Sequence, residues 1–245
     1  MHWRIPTVPQ TPPGTEVTFQ DTEGQPTGFF VGLDLGQSKD FTALVVNERV
    51  EAQRIRSERS PYAPVPSEVE RKPLIRHRFT FLHRFALGTP YPDVVDAVGS
   101  VLKQLPARRD PVALYVDATG VGRPVVDTMR AKGLRPVGIT ITGGLDVNHK
   151  AADDIRIPKS NLASLMQVVL QTERLKIAQD MPLTPVLEKE LQAFKVKISA
   201  AGNEGFEAWR ESDHDDLVLA AAIAVWGAEH RPQPMRFVRI NWMGR

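Results

Sequence analysis

An apolar run that ends in an acidic residue decides the fold of this chain: residues 29–36 read FFVGLDLG. Such a run is typical of a strand that is buried on both faces of a sheet. Residues 41–46, FTALVV, form a second apolar run, close enough to pair with the first as a hairpin. The two runs place Asp34 at the end of a buried strand, at the edge of a sheet.

The rest of the chain alternates between predicted strands and helices. Strands are expected at Leu74–Phe85, Pro111–Val116, Val137–Ile141 and Phe194–Ile198. Helices are expected at Tyr91–Leu105, from 122 to Lys132, from Lys159 onward, at Leu187–Phe194 and from Asp213–Asp216 to about Glu229. Residues 49–73 are predicted to form an irregular, proline-containing insertion, and residues 143–154 a polar loop. This order predicts an α/β fold with a mixed sheet, a three-stranded antiparallel meander plus parallel strands, and helices on both faces.

Composition is that of an ordinary globular protein. The 245 residues are 42% hydrophobic and 24% charged, enough for one sizeable domain. We predict an extended, proline-rich arm at 1–27, the main domain at 28–230 and a basic tail at 231–245. The absence of cysteine excludes disulfides and thiol catalysis. No membrane span and no secretory signal are recognisable, so we expect no membrane partner and a cytoplasmic protein.

Positive charge is concentrated in two segments. Residues 49–84 hold nine Lys or Arg against four Glu, and residues 231–245 hold four Arg and no acidic residue. Such segments suit contact with phosphate groups, although solvated loops explain the charge equally well. If they bind nucleic acid, the expected contacts to its backbone are Arg54, Arg56, Arg76, Arg78, Arg236 and Arg239.

Acidic residues far apart in the chain are expected to meet at one edge of the sheet. Asp34 and Asp117 each end a predicted strand, and Asp215 and Asp216 begin the last helix. The carboxyl ends of parallel strands are where α/β sheets bind ligands. Clustered carboxylates repel one another unless a cation joins them, and Mg²⁺ or Mn²⁺ prefers such oxygen ligands. Two ions about 3.5–4 Å apart would suit an in-line displacement at phosphorus.

Each acidic residue also has a purely structural interpretation. Asp34 could shape a turn, Asp117 could cap a helix, and Asp215 and Asp216 could complement a helix dipole. Successive helical residues point about 100° apart, so only one of the last two faces the other carboxylates. Asp216 is the preferred ligand, because it shares a face with Ala220 and Ile223.

Two further residues are auxiliary candidates. His214 could orient a water molecule or a phosphate, and it could equally be a surface residue. Lys159, at the start of a helix, could contact phosphate, and it could equally be solvated.

Three motifs, in this order, resemble the nuclease domain of phage large terminase subunits. The first is GLDLG at 32–36 with DFTA at 40–43, the second is YVDATGVG at 115–122, and the third is HDDLVLA at 214–220. The IPK sequence at 157–159 also resembles that family. The resemblance extends over about residues 29–227.

The resemblance implies a ribonuclease-H-like fold and divalent-metal cleavage of double-stranded DNA during genome packaging, in the cytoplasm of a bacterial or phage-infected cell. It implies that Asp34 bridges two metal ions, that Asp117 holds one of them and that Asp216 holds the other. One departure is large, because no phosphate loop of the kind that ATPase motors carry is present. We therefore expect a nuclease module whose candidate partners are a separate ATPase motor and portal or other packaging proteins.

Three alternatives stay open from the sequence. A junction resolvase or repair nuclease of the same fold would share the chemistry and differ in the DNA shape that it cuts. An actin-like or sugar-kinase-like nucleotide binder would use the segments around Asp34 and Asp117 as phosphate motifs. A binding or regulatory module could keep the fold without catalysis.

Overall fold

The computed structural model describes residues 15–36, 40–62, 67–106, 112–120, 122–201 and 215–230, with side chains except at 67–69 and 194–201. Nine strands lie in this part of the chain: β1 Glu16–Thr22, β2 Pro26–Asp34, β3 Ala43–Arg59, β4 Ser67–Arg84, β5 Val112–Asp117, β6 Pro136–Thr142, β7 Asn148–Ala151, β8 Asp154–Pro158 and β9 Leu175–Ile177. Five helices accompany them: α1 Tyr91–Gln104, α2 Gly122–Ala131, α3 Lys159–Gln171, α4 Thr184–Ala201 and α5 Asp216–Glu229.

The strands form one mixed sheet in the order β7-β8-β6-β5-β2-β3-β4-β9, and β1 pairs with β3. Strands β2, β3 and β4 make the expected antiparallel meander, and β5, β6 and β8 continue from β2 in parallel. The predicted α/β fold, with an antiparallel meander that is extended by parallel strands, is therefore confirmed.

Helices cover both faces of the sheet. On one face, Val94, Val98 and Met129 of α1 and α2 pack against strand residues such as Val31 and Val116. On the other face, α3, α4 and α5 pack in a second cluster. Helix α5 is the most deeply placed of these helices, because nearly all of its residues are buried between the sheet and the other two. Among the described residues, no helix is both long and apolar enough to span a membrane.

The predicted irregular insertion at 49–73 is wrong. Strands β3 and β4 continue through most of it as a long antiparallel ribbon, with Ser57 paired to Glu68 near its end. Buried Val50 and Ala52 alternate with exposed residues, as in a strand, but the many charged neighbours obscure this pattern in the sequence. Pro73 is tolerated because β9 covers only 77–79 of β4, so the strand has an open edge at that position.

Three other local predictions also need correction. Residues 16–22, assigned to an extended arm, form β1 and pair with the outer half of β3. The polar loop at 143–154 contains β7 and the start of β8, because Ile155 and Ile157 extend the sheet beyond β6. Residues 194–198 continue α4 and are not extended. The short β9 was not predicted, since three residues carry too little periodicity.

A buried polar network joins the ribbon to the C-terminal end of α5. Asn47 Nδ2 donates to Nδ1 of His77 at 3.0 Å and lies 3.4 Å from the carbonyl oxygen of Ala224. Nε2 of His77 lies 3.0 Å from a carboxylate oxygen of Glu229. Arg49 donates to the carbonyl oxygen of Ala228 at 3.1 Å. These contacts fix the direction of α5, which runs antiparallel to β2.

Candidate active site

Asp34 and Asp117 lie side by side at the ends of two neighbouring parallel strands. The register between β2 and β5 ends with Leu33 beside Val116, and each aspartate is the next residue on its strand. Neighbouring strands are about 4.8 Å apart. The two aspartates therefore occupy adjacent positions at the carboxyl edge of the sheet, as the sequence predicts.

Both carboxylates point to the face that α5 covers. Side chains alternate between the faces of a strand. Phe30 and Tyr115 belong to the cluster on the α5 side, and Asp34 and Asp117 follow them at even spacing. The pair thus faces the helix that carries Asp216.

The contact between β2 and α5 brings Asp216 to the level of Asp34. The backbone of Gly32 lies directly against Ala220 of α5. Asp216 lies one helical turn before Ala220, about 6 Å along the axis. Asp34 lies two residues beyond Gly32, about 7 Å along the strand. Because helix and strand are antiparallel, both displacements run in the same direction, toward the carboxyl edge.

All three aspartates are buried, with relative exposures of 8% for Asp34, 7% for Asp117 and 6% for Asp216. Asp117 also shapes its own loop, since its Oδ1 accepts a hydrogen bond from the backbone N–H of Thr119 at 2.8 Å. The turn after Asp34 is held instead by Thr42, whose hydroxyl accepts from the N–H of Gly36 at 3.1 Å. Turn formation therefore accounts for part of the role of Asp117.

Two residues that the sequence analysis did not single out complete the cluster. Arg84, at the end of β4, makes an ion pair with Glu190 of α4, and its Nη2 lies 3.5 Å from Oδ2 of Asp216. The other carboxylate oxygen of Glu190 accepts from the backbone N–H of Val218 at 3.3 Å. Glu190 is 8% exposed. A fourth carboxylate and one guanidinium therefore share this region of the sheet.

The crowding and burial of acidic side chains in this cluster change the pKa of Glu190. Burial raises the pKa of Glu190 to about 7, and the nearby charge of Asp216 acts in the same direction. Arg84 and the N–H of Val218 oppose this rise in pKa by stabilising the carboxylate. Negative charge in this cluster is costly, so an additional cation would be stabilised here.

Of the three remaining predicted site residues, two lie at the same edge of the sheet as the aspartates and one lies outside the described residues. Asp215 occupies the N-cap position of α5 without a side-chain capping bond, and it is only half-buried. Lys159 begins α3 directly after β8, so it lies at the same carboxyl edge of the sheet. His214 lies outside the described residues, and its role stays a prediction.

The predicted DNA-contacting arginines of the ribbon are already paired with acidic residues. Arg54 makes a bidentate ion pair with Asp21, at 2.8 and 2.9 Å. Arg76 contacts the same carboxylate at 2.6 Å and is only 5% exposed. Arg78 pairs with Glu23 and Glu48, and Arg56 pairs with Glu58. Arg76 is buried and its guanidinium neutralises Asp21, so contact of Arg76 with DNA would require this ion pair to break, and its role stays a prediction. Arg236 and Arg239 lie outside the described residues.

The carboxylate pair fits a divalent metal ion of the Mg²⁺ or Mn²⁺ class. Such ions are often held by one or two carboxylates, with water and substrate phosphate completing the ligand set. Asp34 and Asp117 supply two buried carboxylates on adjacent strands. Across the part of the chain that the structure describes, no three His, Asp or Glu side chains are already gathered as metal ligands. Convergence of Asp216 onto the same ions therefore stays a prediction.

The sequence carries weak signals for the two residues that were missed. Arg84 lies two positions after Leu82, which packs on the α5 side, so strand alternation places Arg84 on the same face as Asp34. Glu190 stands between Leu187 and Leu191 on the buried side of α4, where a charged residue is unexpected. Neither signal reveals the partner, since the partners lie on other elements.

No protein-family model and no curated protein match this sequence. Among solved structures, the chain is similar to the large terminase nuclease from thermophilic phage G20c, in a crystal structure of that protein. The alignment covers 80% of each chain at 15% sequence identity, with a TM-score of 0.44.

Proposed function

We propose that this protein is a divalent-metal-dependent endonuclease that hydrolyses phosphodiester bonds of DNA. The observation that carries the proposal is the alignment of Asp34 and Asp117 on adjacent parallel strands, with Asp216 of α5 at the same level above them. Buried carboxylates at the carboxyl edge of a sheet suit phosphoryl chemistry, because cations held there neutralise the phosphate.

Asp34 and Asp117 would hold Mg²⁺ or Mn²⁺, and Asp216 would hold a second ion. Bound ions of this class polarise the phosphate and lower the pKa of an attacking water molecule. The protein contributes position: β2 and β5 fix Asp34 and Asp117, and the close packing of Gly32 on α5 fixes the level of Asp216. Burial of the carboxylates in a low-dielectric environment strengthens their attraction for cations.

The choice of DNA rests on the three sequence motifs that resemble terminase nucleases. A junction resolvase or repair nuclease would use the same carboxylates and would differ in the DNA shape that it cuts. Participation in genome packaging, with a separate ATPase motor and a portal, is a further part of the proposal. We expect two bound metal ions and only a weak preference for particular DNA sequences.

The decisive experiment compares Asp34→Asn with Asp146→Asn, a control at an exposed loop carboxylate. We expect Asp34→Asn to lower the cleavage rate with Mn²⁺ by about a hundredfold or more, because a ligand oxygen is lost, while the circular dichroism spectrum stays unchanged. EDTA should abolish cleavage by the unmodified protein. Full activity of Asp34→Asn would refute the proposal.

The same assay separates the alternatives when linear duplex, branched DNA and RNA–DNA hybrid are offered as substrates. Preferential cutting of linear duplex supports the terminase-like activity. Preferential cutting of four-way branched DNA supports a resolvase. Tight binding and measurable turnover of ATP, without cleavage of any nucleic acid, would instead support the nucleotide-binding alternative.

A further inference from the structure

Arg84 lies in the same row of the sheet as the two strand aspartates. Asp34 is in register with Ala43 of β3, and Ala43 is in register with Arg84 of β4. Directly opposed residues of antiparallel strands point to the same face, so Arg84 faces α5 together with Asp34. Their backbones are two strands apart, about 10 Å. A long guanidinium side chain therefore starts close to the proposed metal site.

The contacts of Arg84 hold its charge among the acids. The guanidinium pairs with Glu190, lies 3.5 Å from Asp216 and sits over the ring of Phe41, 4.8 Å from its centre. Its side chain is 15% exposed. Its Nε is buried and makes no hydrogen bond among the described residues. The guanidinium is therefore confined to this region while part of its donor capacity is unused.

Arg84 compensates the negative charges of the two buried carboxylates beside it. Buried carboxylates are stable only when a cation or hydrogen bonds compensate them. Arg84 supplies a positive charge to Asp216 and Glu190 where the metal-free protein would otherwise hold like charges close together. A divalent ion at Asp216 would supply that charge instead, and two cations would then repel each other.

We infer that Arg84 is a positioning residue that competes with divalent metal for Asp216. In the metal-free protein it holds Asp216 and stabilises the acidic cluster, and metal binding releases Asp216 from it. Glu190 is the anchor to which Arg84 remains paired, since Glu190 is itself fixed by the N–H of Val218. This inference rests on the proposed function, because it requires that metal binds near Asp216.

The test measures Mn²⁺ binding by calorimetry in Arg84→Gln, Glu190→Gln and Arg84→Lys. Removing the competing charge in Arg84→Gln should tighten Mn²⁺ binding about tenfold, the size expected for one unit charge near the ion. Glu190→Gln keeps an acceptor for Val218 but weakens the anchor, so Arg84 should hold Asp216 more tightly and Mn²⁺ should bind more weakly. Arg84→Lys keeps the charge and should stay close to the unmodified protein.

Opposite changes in the two glutamine variants distinguish competition from a structural role, which would weaken Mn²⁺ binding in both. Equal or weaker binding by Arg84→Gln, in a protein that otherwise binds Mn²⁺, would overturn the inference and leave the proposed function intact. Absence of Mn²⁺ binding in the unmodified protein and in every variant would overturn both the inference and the proposed function.

A measurement on the unmodified protein covers the case in which Arg84→Gln does not fold. The nuclear magnetic resonance signal of the Arg84 Nε–H group should shift during titration with Mg²⁺, because its partner changes. The exposed Arg123 serves as the control signal. An Arg84 signal that stays constant while Mg²⁺ binds would contradict release of Asp216.

Discussion

A Cβ atom placed on Gly32 would lie 2.0 Å from the carbonyl oxygen of Ala220 and 2.9 Å from the backbone nitrogen of Ala224. Strand β2 and helix α5 therefore touch through their backbones, with no side chain between them. This contact sets the height of α5 above the sheet. It also sets the distance between Asp34, two residues beyond Gly32, and Asp216, one turn before Ala220.

We predict that Gly32→Ala lowers the free energy of unfolding by about 1–3 kcal/mol, the usual cost of overpacking a core. Cleavage should fall as well, because α5 and Asp216 must move away from the sheet. Denaturant unfolding and the cleavage assay measure the two effects. Gly99→Ala is the control, since its Cβ would meet only a leucine methyl group at 3.9 Å.

The control should move stability in the opposite direction. Gly99 lies inside α1, where alanine is favoured over glycine by roughly 1 kcal/mol. Gly99→Ala should therefore stabilise the protein and leave cleavage unchanged. Unaltered stability of Gly32→Ala would show that the backbone contact is not essential to the fold.

The burial of His77 predicts that the contribution of this residue to stability falls in mild acid. Burial lowers the pKa of His77, and the positive charges of Arg174 and Arg49 lower it further, against the opposing effect of Glu229. Below about pH 6.5 the unfolded chain therefore binds a proton that the folded protein does not, and folding loses up to about 1.4 kcal/mol per pH unit.

His77→Gln should flatten this dependence between about pH 5 and 6.5, as measured by urea unfolding at several pH values. Glu229 does not disturb the window, because its pKa is lowered from 4.5 and its contribution is lost only in stronger acid. Glu190 does titrate in this window with the opposite sign, since its pKa is raised to about 7, but it is present in both proteins and cancels in the comparison. His149→Gln, at an exposed position of β7, is the control. An unchanged slope in His77→Gln would assign the acid sensitivity to other groups.

The two basic segments should differ in their effect on DNA binding. Arg54 and Arg76 are engaged by Asp21, so Arg54→Gln with Arg76→Gln should destabilise the ribbon without changing the salt dependence of binding. Arg236→Gln with Arg239→Gln should reduce the slope of log K against log salt by about 2, if both contact phosphates. Titrations at several salt concentrations decide the question.

An opposite result would reassign the contacts. If the ribbon pair changes the slope and the tail pair does not, DNA lies along the ribbon and competes with Asp21 for its arginines. If either pair of substitutions weakened binding to some DNA sequences more than to others, the expectation that these residues contact only the DNA backbone would be contradicted.

The sequence predicts the meander, most helices and the positions of Asp34 and Asp117 because each of these depends on local patterns. An apolar run followed by an acidic residue marks the end of a buried strand without knowledge of its neighbours. The charged ribbon was missed, since its outer half lacks hydrophobic alternation and instead carries ion pairs between β1, β3 and β4, such as Arg54 with Asp21.

By itself, the sequence determined which residues end the strands and which helix is apolar on every side. Only the tertiary structure decided that Arg84 and Glu190 join Asp216, and that β2 and α5 touch at Gly32. These relationships join residues from separate elements, and their strength comes from burial and charge compensation at short range. Local periodicity reports the face on which a side chain lies, but it carries no information about the side chain that meets it across the core.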